Sequence, residues 1–435
     1  MISRRSVLRS GATGFAGLGL AGLGLATLGL SPRAAHAAVS SAKSGASDTK
    51  FVFVFAPGGW DPTRVFADEF SNGAVDMEAG AERGTAGNIG FVDHAERPSV
   101  RTFLEAWHAR TVVLNGLMVR SIAHEICTMI AMTGTTSGLT PDWPAILAAV
   151  DRDRFTLPHL VLGGPSFPGD LGVAVSRTGS NGQLEALLSG RSRTMADVVT
   201  GGPNAPAESL MDRYLSRRAA ARAAGSRSAV DAALAAQFKV AVDHAAELKD
   251  LQYIMDFTGG TDVADQVQVA VDALSLGVSR CVTLASAGAV LGWDTHADND
   301  NQQSPLWETL FSGLGQLMQA LASTPGTSEA TLADETVVVV LSEMGRTPKL
   351  NAFNGKDHWP YTSAMIVGPN LVGDRVIGGF DRSFYGKSID TVTGDVDEGG
   401  QVLSAEALGA TLLAIADVDP REYVDGVDPI MGMLA

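Results

Sequence analysis

Six short runs of the chain are dominated by apolar residues: Lys50–Ala56, Thr111–Asn115, His159–Leu162, Arg280–Ala285, Thr336–Ser342 and Ala364–Val367. A strand wet on one face alternates apolar and polar residues, so runs that are apolar on both faces predict buried, mainly parallel strands. Patterns of helical period fall between them. Ser304–Ser323 opens on Ser304-Pro305, read as cap and first-turn proline, and Ser404–Asp417 is a second example. Strands that alternate with helices predict an α/β fold, a doubly wound, mostly parallel sheet with helices on both faces.

Two stretches depart from this alternation. Ala205–Phe257 is rich in Ala, Arg and Glu, lacks a strand signal and places apolar residues at helical spacing (Leu210 and Tyr214, Phe238 and Val242, Leu248 and Leu251), which predicts a two-helix insertion. It reads either as a cap over a binding site or as a packing layer. At the N-terminus, Ser3-Arg4-Arg5-Ser6-Val7-Leu8-Arg9 precedes a Gly/Ala/Leu run from Gly11 to Leu30 and a small-residue site at Ala35-His36-Ala37. Twin arginines before a weakly apolar segment resemble a Tat signal over residues 1–37, with a linker over 38–49 and a single domain over 50–435. Glycines recurring from Gly11 to Gly24 make this run a poor lipid helix, so no membrane span is expected after processing. The expected partners therefore include the Tat export machinery, and the expected location is periplasmic or secreted.

Composition narrows the function classes. The 435 residues carry 48 acidic against 32 basic groups, a formal charge of −16. Without residues 1–37 the balance is 28 basic against 48 acidic groups, or −20. Such a surface repels phosphate backbones, so no nucleic-acid partner is expected. Two cysteines, Cys127 and Cys281, make one bridge at most, and two buried thiols are the preferred reading. No Cys-x-x-Cys and no Gly-x-Gly-x-x-Gly after a strand supports redox chemistry.

In an open parallel sheet, ligands bind beyond the carboxyl ends of the strands. Residues there are rich in metal-ligand types. Asp61 follows the first strand in Gly58-Gly59-Trp60-Asp61, where the glycines would let backbone approach a ligand. Asp294 and His296 follow the Arg280–Ala285 strand in Gly292-Trp293-Asp294-Thr295-His296, Glu343 ends the Thr336–Ser342 strand, and Asp357-His358 lies a short loop beyond. Each alone is an ordinary turn or cap residue, but delivered to one sheet edge they form a mixed oxygen and nitrogen set. Such a set suits one or two divalent ions, zinc, manganese or magnesium-like. His124, after the Thr111–Asn115 strand, has two readings of equal weight, a helix-start hydrogen bond or a ligand. Arg346 is read either as a clamp for a phosphate or carboxylate or as a salt bridge to one of these acids. His94, His108, His159 and His244 lack such company and are read as structural or surface residues.

The Gly58-Gly59-Trp60-Asp61 turn, Trp293-Asp294-Thr295-His296, Ser342-Glu343-Met344-Gly345-Arg346-Thr347 and Asp357-His358, in that order, resemble the bacterial DUF1501 proteins, exported members of the alkaline-phosphatase-like superfamily that includes sulfatases. The resemblance implies a three-layer α/β sandwich with a two-metal site at the sheet's carboxyl edge. It implies ligands at Asp61, at Asp294 with His296, at Glu343 and at His358. Met344 stands where that superfamily has a histidine, and Asp294-Thr295-His296 is a shorter spacing than its hydrolases use. No Cys/Ser-x-Pro-x-Arg occurs, and Ala123 precedes His124 where relatives carry serine, which leaves Thr128 or the Thr133–Ser137 cluster as substitutes.

Two functions follow as expectations. The first is an exported metal-dependent hydrolase of phosphate or sulfate esters on an anionic small molecule or polymer, attacking with a metal-activated hydroxide or an unassigned Ser/Thr. The second is a non-catalytic scaffold or binding protein that keeps the fold, with or without one structural ion.

Overall fold

A computed structural model of the chain describes residues 48–171, 175–177, 191–193, 199–201, 205–251, 262–286 and 292–435. The expected signal over 1–37, most of the linker and residues 252–257 of the insertion lie outside the described residues.

The main sheet has eight strands: β1 (Lys50–Phe55), β2 (Thr111–Met118), β3 (His159–Val161), β4 (Val175–Arg177), β5 (Cys281–Ala285), β6 (Thr336–Leu341), β7 (Tyr361–Val367) and β8 (Arg375–Gly378). Their order is β8-β2-β7-β6-β1-β5-β3-β4. Every neighbouring pair is parallel except the two made by β7, which runs against β6 and β2. The fold is thus α/β with a mostly parallel sheet, as the alternation predicts.

Period-two alternation within apolar strands explains the layers. Phe51, Phe53 and Phe55 of β1 join Val337, Val339 and Leu341 of β6 on one face, covered by α2 (His124–Thr133), α3 (Trp143–Ala149) and α8 (Ala405–Ile415). Val52 and Val54 join Val338, Val340, Val282 and Leu284 on the other, covered by α1 (Pro98–Trp107), α6 (Val263–Ser275) and α7 (Asn299–Ser323). Ser404 caps α8 by accepting from the amide of Ala407. Two helices of the insertion, α4 (Ala205–Gly225) and α5 (Ala229–Leu251), lie against each other, with Lys249 bridging Glu208 and Asp212.

One boundary differs from expectation. Helix α7 begins at Asn299, not at Ser304, and Pro305 sits inside it. Tertiary tethers hold the extra turn: Asn299 Nδ2 donates to Asp61, Gln303 Oε1 accepts from the Asp61 amide, and Arg64 pairs with Asp300. These offset the backbone bond that proline cannot donate.

Cys127 and Cys281 are buried free thiols, and burial pushes them up to about 11 and about 12. Among the described residues no helix is long and apolar enough to cross a membrane.

Candidate metal centre

Strands β1, β2, β5 and β6 point their carboxyl ends the same way, and the loops that follow them lead to Asp61, His124, Asp294 with His296, and Glu343. Because β7 runs the opposite way, its entry lies at that same edge, which is how His358, three residues ahead of Tyr361, joins the group. Tryptophans root two of these loops. Trp60 stacks on Trp307 at 5.0 Å and Trp293 meets Trp307 edge-on at 4.9 Å, all three fully buried.

Asp294, His124 and His358 converge, with ligand atoms all within 4.8 Å of one another. Asp294 Oδ1 lies 3.1 Å from His358 Nε2 and 3.0 Å from His296 Nε2, and its Oδ2 lies 3.4 Å from His124 Nε2. The two exposed-side imidazoles approach each other, Nε2 to Nε2, at 3.0 Å. Behind each ring stands an acceptor for the other nitrogen. His358 Nδ1 faces the carbonyl of Ile122 at 2.6 Å, His296 Nδ1 faces Asp357 Oδ1 at 2.9 Å, and His124 Nδ1 faces Glu343 Oε1 at 2.9 Å.

A carbonyl or carboxylate can only accept, so these partners assign each Nδ1 the proton and leave Nε2 a lone pair in the neutral ring. The lone pairs of His124 and His358 and the Asp294 carboxylate then face one point, with that of His296 beside two of them, and Arg346 donates to Asp294 Oδ1 at 2.6 Å. His124 Nε2 is buried and has no hydrogen-bond partner. Acceptors crowded in this way repel one another unless protons or a cation lie between them. The spacings of 3.0–3.4 Å match ligand atoms that share one ion at bonds of about 2 Å. The residues present fit a divalent ion.

Charge is balanced accordingly. The hydrogen bond that His124 donates to Glu343, partly opposed by burial, raises the His124 pKa. Burial pushes Asp294 up, but Arg346, together with His358 and His296, holds it below the usual carboxylate range.

Four expected site residues take other places. Asp61 is fully buried away from the trio. Its carboxylate accepts from Lys356 Nζ at 2.8 Å, Thr63 Oγ1 at 2.7 Å and Asn299 Nδ2 at 3.0 Å, with Arg64 Nη1 at 3.5 Å. Burial would raise it, yet Lys356 and Arg64 bring it down to about 2. Two cations of the chain already neutralise Asp61, so it has no place in the ligand set. Glu343 is buried behind His124, where Oε1 also accepts from the Gly58 amide at 2.7 Å and Oε2 lies 3.1 Å from the Ser342 hydroxyl. In that position it orients the His124 ring. Asp357 does the same for His296 from the surface.

Arg346, read as an anion clamp or as a salt bridge to one of the acids, takes the second role: it is fully buried, paired with Asp294 and committed within the chain. Nε donates to Gly59 O at 2.7 Å and Nη1 to Lys356 O at 3.0 Å, while Nη2 reaches Gly58 O, Trp293 O and Asp294. The glycines serve this brace, not a ligand: Gly59 has φ +82°, and a Cβ there would lie 2.7 Å from Met344 Cγ. Met344 itself is buried with Val119 and Cys127. Thr133 donates to Met129 O at 2.7 Å within its own helix.

Sequence reasoning did not single out Lys356, the cation beneath Asp61, or the Ile122 carbonyl. Backbone acceptors leave no trace in residue type, and a lysine beside Asp357-His358 carries no motif.

The family model described as "Protein of unknown function (DUF1501)" matches residues 112–428. The chain belongs to the DUF1501 family. The match encloses His124, Asp294, His296, Glu343, Arg346, Asp357 and His358 and leaves β1 and Asp61 outside it. No curated protein matches the sequence.

Among solved structures, this DUF1501 protein is similar to Ps i-CgsB in complex with a neocarrahexaose (12% identity, 87% of this chain and 75% of that one, TM-score 0.38). It is also similar to a protein in complex with its substrate D-glucosamine-2-N,6-O-disulfate (10%, 88% and 81%, TM-score 0.34). A third is a phosphonate monoester hydrolase from Silicibacter pomeroyi (11%, 88% and 77%, TM-score 0.35). Likenesses of this size leave the chemistry to the residues themselves.

Proposed function

We propose that this DUF1501 protein is an exported, metal-dependent hydrolase of phosphate or sulfate esters. The observation that carries the reading is the convergence of His124, Asp294 and His358 on one point at the sheet's carboxyl edge, with His296 3.0 Å from two of them and the buried His124 Nε2 lacking a hydrogen-bond partner. Arg4-Arg5 ahead of the apolar run supports export through the Tat machinery to the periplasm or beyond.

His124, Asp294 and His358 would hold the ion, with Glu343 and the Ile122 carbonyl fixing their tautomers. A divalent cation there supplies Lewis-acid charge to an anionic ester oxygen. Arg346 acts from behind by keeping Asp294 ionised and aimed. Among the described residues no Ser or Thr hydroxyl hydrogen-bonds the side chains of His124, Asp294, His296 or His358, which favours water as the attacking group. The substrate class is an anionic small molecule or polymer.

A second reading, a non-catalytic scaffold with one structural ion, is favoured by the internal commitment of Asp61 and Arg346. The two separate on one experiment: metal content of the purified protein, with turnover of aryl phosphate, phosphodiester and aryl sulfate by wild type and Asp294→Ala. Turnover that requires the metal and is lost in Asp294→Ala supports the hydrolase. A metal-loaded, folded protein inert on the whole panel supports the scaffold.

A further inference from the structure

The residues around the candidate ion are not equally held. Side-chain exposure is 1% for Glu343, 13% for His124, 19% for His358 and 23% for Asp294, but 47% for His296 and 59% for its anchor Asp357. His296 Nε2 lies 3.0 Å from both Asp294 Oδ1 and His358 Nε2, as near as the inner ligand atoms are to one another, so exposure and anchoring set it apart, not distance. The inner rings are locked by a buried carboxylate and a main-chain carbonyl, whereas His296 hangs from a carboxylate in solvent.

A tetrahedral ion with three protein ligands keeps a position for solvent or substrate, and a fourth protein ligand closes it. We propose that His124, Asp294 and His358 are the permanent hold, and that His296, hinged on Asp357, is a replaceable fourth ligand displaced by an incoming anionic oxygen. The inference rests on the cluster being a cation site. Exchange of this kind breaks one imidazole–ion bond and forms one oxygen–ion bond, with no proton or electron transferred. It is inexpensive because both His296 and Asp357 are already half in water, so the released ring is hydrated without opening the core. Swinging out also separates its Nε2 from that of His358.

The test uses the full processed chain, zinc and inorganic phosphate as the probes. His296→Ala is expected to keep one zinc per chain with affinity within roughly tenfold of wild type, while His124→Ala or His358→Ala loses roughly a hundredfold or more. Zinc-loaded His296→Ala is expected to bind phosphate several-fold more tightly than wild type, because no imidazole has to leave. Asp357→Ala should move phosphate affinity the same way. Circular dichroism confirms the fold of each variant. If His296→Ala loses zinc as severely as His124→Ala, or if its phosphate affinity does not rise, His296 is not a replaceable ligand and the proposal fails while the cation site stands. A folded wild type that takes up no zinc overturns both.

Discussion

Glu343 and His124 are joined through a single oxygen: Oε1 lies 2.9 Å from the His124 ring and also accepts the Gly58 amide at 2.7 Å. Removing that oxygen frees the His124 ring to rotate and leaves the buried Gly58 amide unpaired. Glu343→Ala is expected to lower metal affinity by roughly 10- to 100-fold, in keeping with partners that orient metal-bound histidines. Glu343→Gln can present its carbonyl oxygen to both donors and should lose less. Competition with a chromophoric chelator measures both, and equal losses would show that charge, not the shared hydrogen bond, is what matters.

Asp61 predicts an acid limb of stability. Its folded value of about 2 lies below the ordinary carboxylate value of 3.8, so the stabilisation is complete above that value and is lost as pH falls from about 4 towards 2. The pair of values corresponds to about 2 kcal/mol. Asp61→Asn should remove this limb and also destabilise the protein at neutral pH by about 3–5 kcal/mol, since Lys356 and Arg64 stay buried. Urea unfolding between pH 3 and 7 checks the shape, and unchanged metal content confirms that Asp61 is not a ligand.

Arg346→Lys tests the brace. A lysine offers one point charge where the guanidinium serves four carbonyls and Asp294, so a loss of at least about 3 kcal/mol is expected. Thermal unfolding measures it. A substrate clamp would behave differently, leaving stability intact and raising KM.

Metal removal should act through linkage. Chelation of the wild type is expected to lower Tm, and zinc at 100 times its Kd to restore about 2.7 kcal/mol. In His124→Ala the shift should vanish, as calorimetry with and without zinc would show.

Six of the sheet's eight strands, all but β4 and β8, and the edge that gathers the candidate ligands are legible because apolar runs and acid or imidazole residues leave direct marks in sequence. The hierarchy of those ligands is not. Asp61 and Asp294 both follow Trp after a strand, yet Lys356, distant in sequence from Asp61, converts the first into a buried ion pair. Arg346 stays undecided in sequence between substrate clamp and salt bridge because residue type does not reveal that Gly58, Gly59, Trp293 and Lys356 turn their carbonyls towards it. The start of α7 was misplaced for a related reason: the tethers from Asp61 and Arg64 that carry it past Pro305 are tertiary.

The central strand has a temporal consequence. Phe51 pairs with Cys281 on one side and with Val337 on the other, so the first strand made by a ribosome must wait for partners synthesised much later. Loop closure over such distances precedes any gain from pairing, which makes assembly slow and leaves a sticky phenylalanine-rich segment bare meanwhile. Nascent copies of this chain should therefore depend on a chaperone, and truncations lacking β6 should aggregate instead of folding into a smaller unit.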